Sequence, residues 1–356
     1  MNAVLIYNPV AGLRDVEQEL NDAIAFLRAQ GWDVTLRKTW GPGDATTYAR
    51  EAVANRADMV VAVGGDGTIG QVATGLAFSD CVLGVLPVGT GNVYANMVGL
   101  PVWTPLHRST LVDAARILVE GETRLIDVGQ VGQRYFVMWT GIGFDAEVAR
   151  GVEPHRELRR RLGNITYYVA LVAVGMGLRG TRTTVTIDGQ VMRQRILCIL
   201  VSNAQFYGGT VRFAPQARLD DGLLDVYIFK GSNLLDALRH IFLVVWGKQL
   251  EDPQLEVFQA KEIIIRPSKP LPVQVDGDPT GYTPITIQVV PKALKVRVPA
   301  HVSPSLFAGG EDAQDLSLGQ RLAERWQQEK THWRAEGERL RRGWGRWWGL
   351  PPQEKS

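Results

Sequence analysis

The chain is poor in several things. It has two cysteines in 356 residues. Each sits in an apolar run, DCVLGVL around Cys81 and RILCILV around Cys198. That reads as two buried thiols in a reducing compartment and excludes a disulfide framework. There is no surplus of one charge: 39 Lys+Arg against 37 Asp+Glu leaves +2. No global field calls for nucleic acid, so an electrostatic partner has to be sought in local patches. No apolar run reaches the roughly 18 residues that span a bilayer. The N-terminal MNAVLIYNPVAG lacks the basic start and the longer apolar core of a secretory signal. No internal repeat is evident. The expectation is a cytoplasmic chain, at most peripheral on the inner face of a membrane.

What is present is a rhythm. NAVLIY (2–7) is a β-prone run that stops at Asn8-Pro9. Val16, Leu20, Ala23, Ile24 and Leu27 then fall on one helical face, and Gly31 ends that helix. A strand at 32–39, a helix at 44–57, a strand at 59–65, a helix at 71–78 and a strand at 81–89 follow. This is the alternation of a parallel sheet with helices on its faces, a Rossmann-like arrangement in which ligands bind at the strand ends. After about residue 125 the rhythm changes to short strands punctuated by Gly, Asp-Gly or Pro, which predicts an antiparallel sandwich. Two helical segments interrupt it, near 158–178 and 233–249. The expected organisation is therefore α/β: a nucleotide-binding domain over 1–125, a larger, mainly antiparallel β-rich domain over 126–300, and a helical tail over 301–356.

Three strand ends of the first half carry glycine-rich turns: NPVAG (8–12), GGDGT (64–68) and PVGTGN (87–92). In such a turn, glycines let the backbone approach a ligand closely, and the amides of the following helix favour an anion. Thr68 is placed to cap the helix and to bond a phosphate oxygen. Asp66 would repel a bare phosphate unless a divalent cation bridges the two, so the loop points to a nucleotide with Mg²⁺. The plainer reading of GGDGT alone is a tight turn with an aspartate placed for geometry. Three such turns on neighbouring strands converge on one crevice, which that plainer reading does not predict.

NPVAG, GGDGT and PVGTGN, in this order and spacing, resemble the catalytic domain of the diacylglycerol kinase family, which includes bacterial soluble lipid kinases and sphingosine kinases. GIGFDAEV (141–148), SNAQFYGGT (202–210), APQARLDDGLLDV (214–226) and VQVDGD (273–278) are similar to its later motifs. The resemblance covers about residues 1–300. It implies ATP between the domains, with its phosphates against the backbone around Asn8, Pro9 and Gly12 and around Gly65, Asp66, Gly67 and Thr68, with Thr39 and Thr90 nearby, and with Gly64, Gly89 and Asn92 completing the cofactor-binding set. It implies a general base in the turn usually written DGE, here Asp276-Gly277-Asp278; Asp278 aligns, with Asp276 the runner-up. It implies a structural Mg²⁺ held by the Asp221 carboxylate and the carbonyls of Arg218 and Leu223. Asp66, with the nucleotide's Mg²⁺, would neutralise charge, and Asp278 or Asp276 would take the hydroxyl proton. An Asp-Gly pair is also a hairpin signal, and Asp188-Gly189 is read as only that. Two positions depart from the family: Gln71 stands where an acidic residue is usual, and DGD replaces DGE.

The tail has its own composition. Leu322, Trp326, Trp333, Leu340, Trp344 and Trp347 share one helical face. Between 321 and 346 stand eight Lys/Arg and four Glu, a local +4. A Trp/Leu stripe flanked by arginine suits an anionic membrane surface. A helix packed on its own protein, or a homodimer seam, fits the same spacing, and Gly337, Gly343 and Gly345 weaken a helix there. The basic run HRELRRR (155–161) reads as a solvated helix face. The functional expectation is ATP-dependent phosphorylation of a lipid hydroxyl, diacylglycerol or a related alcohol. The alternatives are an NAD kinase-like enzyme, which shares GGDGT, and a catalytically weak lipid- or nucleotide-binding homologue, which Gln71 and the shortened turn would suit.

Overall fold

The structure is a computed structural model and describes residues 1–12, 14–103, 110–143, 146, 179–207 and 211–310. The tail stripe, the basic run 155–161 and the expected helix at 158–178 lie outside these residues.

The first half alternates as expected: β1 (Asn2–Tyr7), α1 (Glu17–Ala29), β2 (Asp33–Lys38), α2 (Asp44–Ala54), β3 (Met59–Gly64), α3 (Asp66–Leu76) and β4 (Val82–Pro87). β1 pairs in parallel with β2 and β3, and β3 with β4. Every residue of β3 is buried, the signature of a parallel strand covered on both faces. α1 buries Leu20, Ala23, Ile24 and Leu27 on one face. Two short helices follow that the expected alternation does not include, α4 (Val93–Val98) and α5 (Leu111–Glu120). α5 opens on a reciprocal cap in which the Thr110 hydroxyl accepts from Asp113 N and the Asp113 carboxylate from Thr110 N.

The second half is mainly antiparallel: β5 (Glu122–Val131), β6 (Arg134–Phe136), β7 (Trp139–Gly143), β8 (Thr181–Ile187), β9 (Gln190–Ser202), β10 (Leu224–Lys230), α6 (Leu234–Val245), β11 (Leu255–Ala260), β12 (Glu262–Pro267), β13 (Pro272–Val275), β14 (Asp278–Tyr282) and β15 (Ile285–Val298). Leu125 lies inside β5. Asp188-Gly189 closes the β8–β9 hairpin with φ of 46° and 86°, the two left-handed residues of a type I′ turn.

Among the described residues, one sheet of 15 strands runs through both halves. β15 is its hinge-line. Its first residues pair with β12, its length with β5, and Lys295–Val296 run parallel to Val82–Leu83 of β4. Apolar layers lie on either side of the parallel strands, and a third, built on Ile199, Val201, Val226, Ile228, Ile263 and Ile287, fills the antiparallel half. Among the described residues no helix is long and apolar enough to cross a membrane.

Candidate active site

β1, β3 and β4 end side by side. Asn8 N donates to Val63 O at 3.0 Å and Val88 N to Gly64 O at 3.1 Å, so the three glycine-rich loops leave one edge together. Their contact requires glycine. A β-carbon on Gly12, whose φ is +78°, would lie 2.0 Å from Val88 O. One on Gly89 would lie 2.5 Å from the α-carbon of Gly65.

α3 begins at Asp66, five residues earlier than the spacing of its apolar residues predicts. Asp66, Gly67 and Thr68 therefore form its first turn, and the N-cap is Gly65, which has no side chain to offer the first amides. Thr68 does not cap the helix; it is buried, and its hydroxyl accepts from Asn8 Nδ2 at 3.1 Å. Thr39 is buried beside Tyr7, whose carbonyl accepts its amide at 2.8 Å. Asp66 reaches across to α4, where its two oxygens accept from Val93 N and Tyr94 N, each at 3.1 Å. Asn92 enters α4 with φ of 47°, and its Nδ2 donates to Gly89 O at 2.8 Å. Asn92 Oδ1 is buried without a hydrogen-bond partner.

The DGD turn packs against this first turn of α3. Asp276 and Gly277 have φ of 47° and 87°, again a type I′ hairpin, but here the aspartate points inward. Asp276 is buried and accepts from Val137 N, Met138 N and Trp139 N at 3.0–3.1 Å. Burial pushes its carboxyl up to about 7, against the pull of those amides, with a further push from Asp66. Asp278 is about a third exposed; its Oδ2 accepts from Arg134 at 3.0 Å and from Gln71 Nε2 at 3.3 Å. The fit is close at two glycines. A β-carbon on Gly67 would stand 3.0 Å from Asp278 Oδ1, and one on Gly70 2.8 Å from Asp276 Oδ2. Gln71 also accepts from Gly43 N at 3.3 Å, so it bridges the start of α2 to Asp278. An acid in its place would set a second carboxylate against the first.

The loop before β10 gathers the other expected ligands. Asp221 accepts from Leu223 N at 3.0 Å, and burial, with Asp127 and Asp220 nearby, raises its carboxyl. Asp127 is wholly buried and held by Lys292 N at 2.7 Å and Gly222 N at 2.6 Å. Asp225 is pushed up to about 7 by burial first and by Asp221 second. The Arg218 guanidinium donates to the carbonyls of Phe307 and Gly310. Among the described residues no three His, Cys, Asp or Glu side chains converge as ligands; in the expected set two of three ligands are carbonyls. Asn203 ties β5 to the connection between β6 and β7, for its Nδ2 donates to Asp127 O and Val137 O.

Arg134, Asp127 and Asn203 were not singled out in the sequence. Asp127 carries a signal, a carboxylate within an apolar strand (RLIDVGQV). Asn203 lies within the SNAQFYGGT motif, although nothing there marks it out from its neighbours; Arg134 carries no signal, because its role comes from strands paired at long range.

A family model described as the diacylglycerol kinase catalytic domain matches residues 2–131. One described as the YegS C-terminal NAD kinase beta sandwich-like domain matches 139–298. A diacylglycerol kinase of Bacillus subtilis (strain 168) is 32% identical over 284 residues, 79% of this chain and 91% of that one. The chain belongs to the diacylglycerol kinase family. A diacylglycerol kinase of Staphylococcus carnosus (strain TM300) is 26% identical over 302 residues, 84% of this chain and 96% of that protein. A crystal structure of a diacylglycerol kinase from Bacillus anthracis str. Sterne is 25% identical, covers 83% of this chain and 96% of its own, and superimposes with a TM-score of 0.68. Within this family frame, the three loops and the DGD turn come from the two separate matched regions, and the fold brings them into contact.

Proposed function

We propose that the chain transfers the γ-phosphoryl group of ATP to a lipid hydroxyl, of diacylglycerol or a related lipid alcohol. The observation that carries this is the meeting of the glycine loops with an accessible carboxylate: Gly67, in the first turn of α3, faces Asp278 across a gap that would not hold a methyl group.

The residues present fit a nucleotide. Loops that touch through glycine α-carbons leave backbone amides, not side chains, to meet phosphate. The partnerless Asn92 Oδ1 is an acceptor suited to a nucleotide hydroxyl or amine. A divalent cation, when bound, would supply charge neutralisation at the phosphates, with Asp66 the carboxylate nearest the loops. Asp221, with the carbonyls of Arg218 and Leu223, would hold a second, structural one; the crowding that raises Asp221 and Asp225 is what a cation there would relieve.

In this reading Asp278 accepts the proton of the attacking hydroxyl. Arg134 and Gln71 fix its carboxylate through one oxygen, Oδ2, and positioning is most of what phosphoryl transfer needs from a protein. Asp276, enclosed by three amides, anchors the turn that presents Asp278.

The test is transfer of labelled phosphate from ATP to lipids in mixed micelles: diacylglycerol, monoacylglycerol, sphingosine, ceramide and a long-chain polyprenol, with NAD as a water-soluble control. Asp278→Ala and Asp66→Ala run alongside. A labelled lipid that disappears in both variants supports the reading and names the substrate. Label on NAD alone overturns it. ATP binding with no labelled product favours the weak-homologue alternative.

A further inference from the structure

The outer face of the antiparallel half carries two features side by side that the reaction does not use. The first is a basic cluster. Arg182 on β8 lies directly opposite Arg195 on β9; Thr184 lies between Arg193 on β9 and Arg266 on β12. Strand alternation therefore puts all four arginines on one face, and all four are exposed. They line a depression of about 490 Å³ with no Asp or Glu in its lining. Among the described residues no carboxylate pairs with any of them. On the same face of β12, Glu262 stands at the far end and is held by Gln288; Glu256 is taken up by Gln194 and Lys230. Like charges set opposite each other across a strand pair are destabilising. Four in one patch call for an anionic partner.

The second feature is the exposed side of α6. Both Ile196 and Ile199 of β9 point into the sandwich core, so the strand gains a residue between them, and the ladder to β10 shifts register there. Beyond that irregularity Cys198 and Leu200 take the face that Arg193 and Arg195 occupy before it, and they share one apolar layer with Val244 of α6. The helix buries Ala237 and His240, and packs Val244 against the layer that contains Leu200, Tyr227 and Phe229. Turned the other way are Leu235 (76% exposed), Leu238, Phe242 and Trp246 (65% exposed), at the 3-4-4 spacing of one helical face. The two features adjoin: Gly231 N, just before α6, donates to Arg195 O at 3.3 Å, and Gly180 N to Ser232 O at 3.2 Å.

We infer that this combined face docks the protein on a bilayer containing anionic phospholipid. The inference rests on the lipid-kinase reading for its purpose but on separate residues for its chemistry. Guanidinium groups bind phosphate and are attracted to an anionic leaflet. A stripe of Leu, Phe and Trp beside them inserts at the level of the headgroups, where tryptophan is favoured. Charge complementarity selects the occupant: a polar protein partner would meet the arginines but not cover the stripe, and a neutral bilayer would do the reverse.

The test uses the full chain and vesicles of phosphatidylcholine alone or with about a third phosphatidylglycerol, followed by sedimentation. Binding is expected to the anionic vesicles and to fall with salt. The variant Arg193→Gln/Arg195→Gln should bind them more weakly by roughly fivefold per arginine, with a melting temperature no lower than that of the parent, because a repulsion has been removed. Phe242→Ser/Trp246→Ser should weaken binding as well. Leu238→Cys should label rapidly with a maleimide in the lipid-free chain and be shielded by anionic vesicles. Both double variants should keep full transfer to a short-chain lipid in detergent micelles. Unchanged vesicle binding in the arginine variant overturns the inference. So does slow labelling of Leu238→Cys without lipid, which would mean that the chain covers this face itself, and so does retention by single-stranded RNA in place of vesicles. Arginine-dependent vesicle binding with no transfer to any lipid would leave the surface standing and remove the kinase reading.

Discussion

Gly67 and Asp278 meet across the two halves of the fold: a β-carbon on the glycine would lie 3.0 Å from Oδ1 of the carboxylate. Gly67→Ala is expected to push Asp278 aside by tenths of an ångström. The obstructing atom is the end of a side chain, so the fold survives, while kcat falls by about 10–100-fold through misplacement. Gly70→Ala presses instead on the enclosed Asp276, 2.8 Å away, and should cost stability, about 1–3 kcal/mol by overpacking. Thermal melts and steady-state kinetics on the pair separate the two effects.

The two aspartates of the turn differ in the same way. Asp278→Asn should leave the melting temperature nearly unchanged and lower transfer by about 10²–10⁴-fold, the usual scale of a lost proton acceptor. Asp276→Asn sets an NH₂ group against at least one of three backbone amides that now donate to the carboxylate. An unsatisfied buried donor costs about 1–3 kcal/mol. The expected result is a lower urea midpoint for Asp276→Asn and an unshifted one for Asp278→Asn.

Asp276 also predicts a pH dependence. Its carboxyl is raised to about 7 in the folded chain, against about 4 when unfolded. Between these values the native state holds a proton that the unfolded state has released. Stability therefore falls as pH rises from about 4 to about 7, and the loss is complete above that. Asp225, also raised to about 7, adds a slope of the same sign. The stability difference between the parent and Asp276→Asn, measured by urea unfolding, should shrink across this window. A difference that grows with pH contradicts the assignment.

Much of this was legible in the sequence because it is periodic or local. The βα alternation, the glycine turns and the Asp188-Gly189 hairpin follow from spacing and turn chemistry alone. The apolar spacing places the start of α3 at Gln71, beyond Gly67 and Gly70, residues that favour a helix little; the observed start at Asp66 is imposed by tertiary packing, in which both glycines lie against the aspartates of a distant hairpin. α4 is short and enters through a left-handed Asn92, and its first amides are held by Asp66 from another helix. Nothing within VYANMV announces that. α5 did carry a signal, the Thr110-to-Asp113 capping box. Arg134 could not be read, since β6 is placed beside the hairpin only by strand pairing.

Arg134 and Gln71 both donate to Asp278 Oδ2, one as a cation and one as a neutral donor. The ion pair is about a third exposed, so its contribution to stability is small, under about 1 kcal/mol, and its value is positional. Arg134→Leu should lower kcat by about 10–100-fold while the KM for ATP stays within about twofold, the pattern of an interaction that matters in the transition state. Arg134→Lys, which keeps the charge but loses the fork that also reaches Thr280, should recover part of the rate. Gln71→Glu brings a second carboxylate to Asp278, which Arg134 can offset. Activity in Gln71→Glu should therefore fall modestly with Arg134 present and collapse in the double variant with Arg134→Leu, a non-additive result expected of residues that share one partner. Additive losses would mean that the two side chains act on Asp278 independently, and that the neutral residue at 71 has no bearing on how the carboxylate is held.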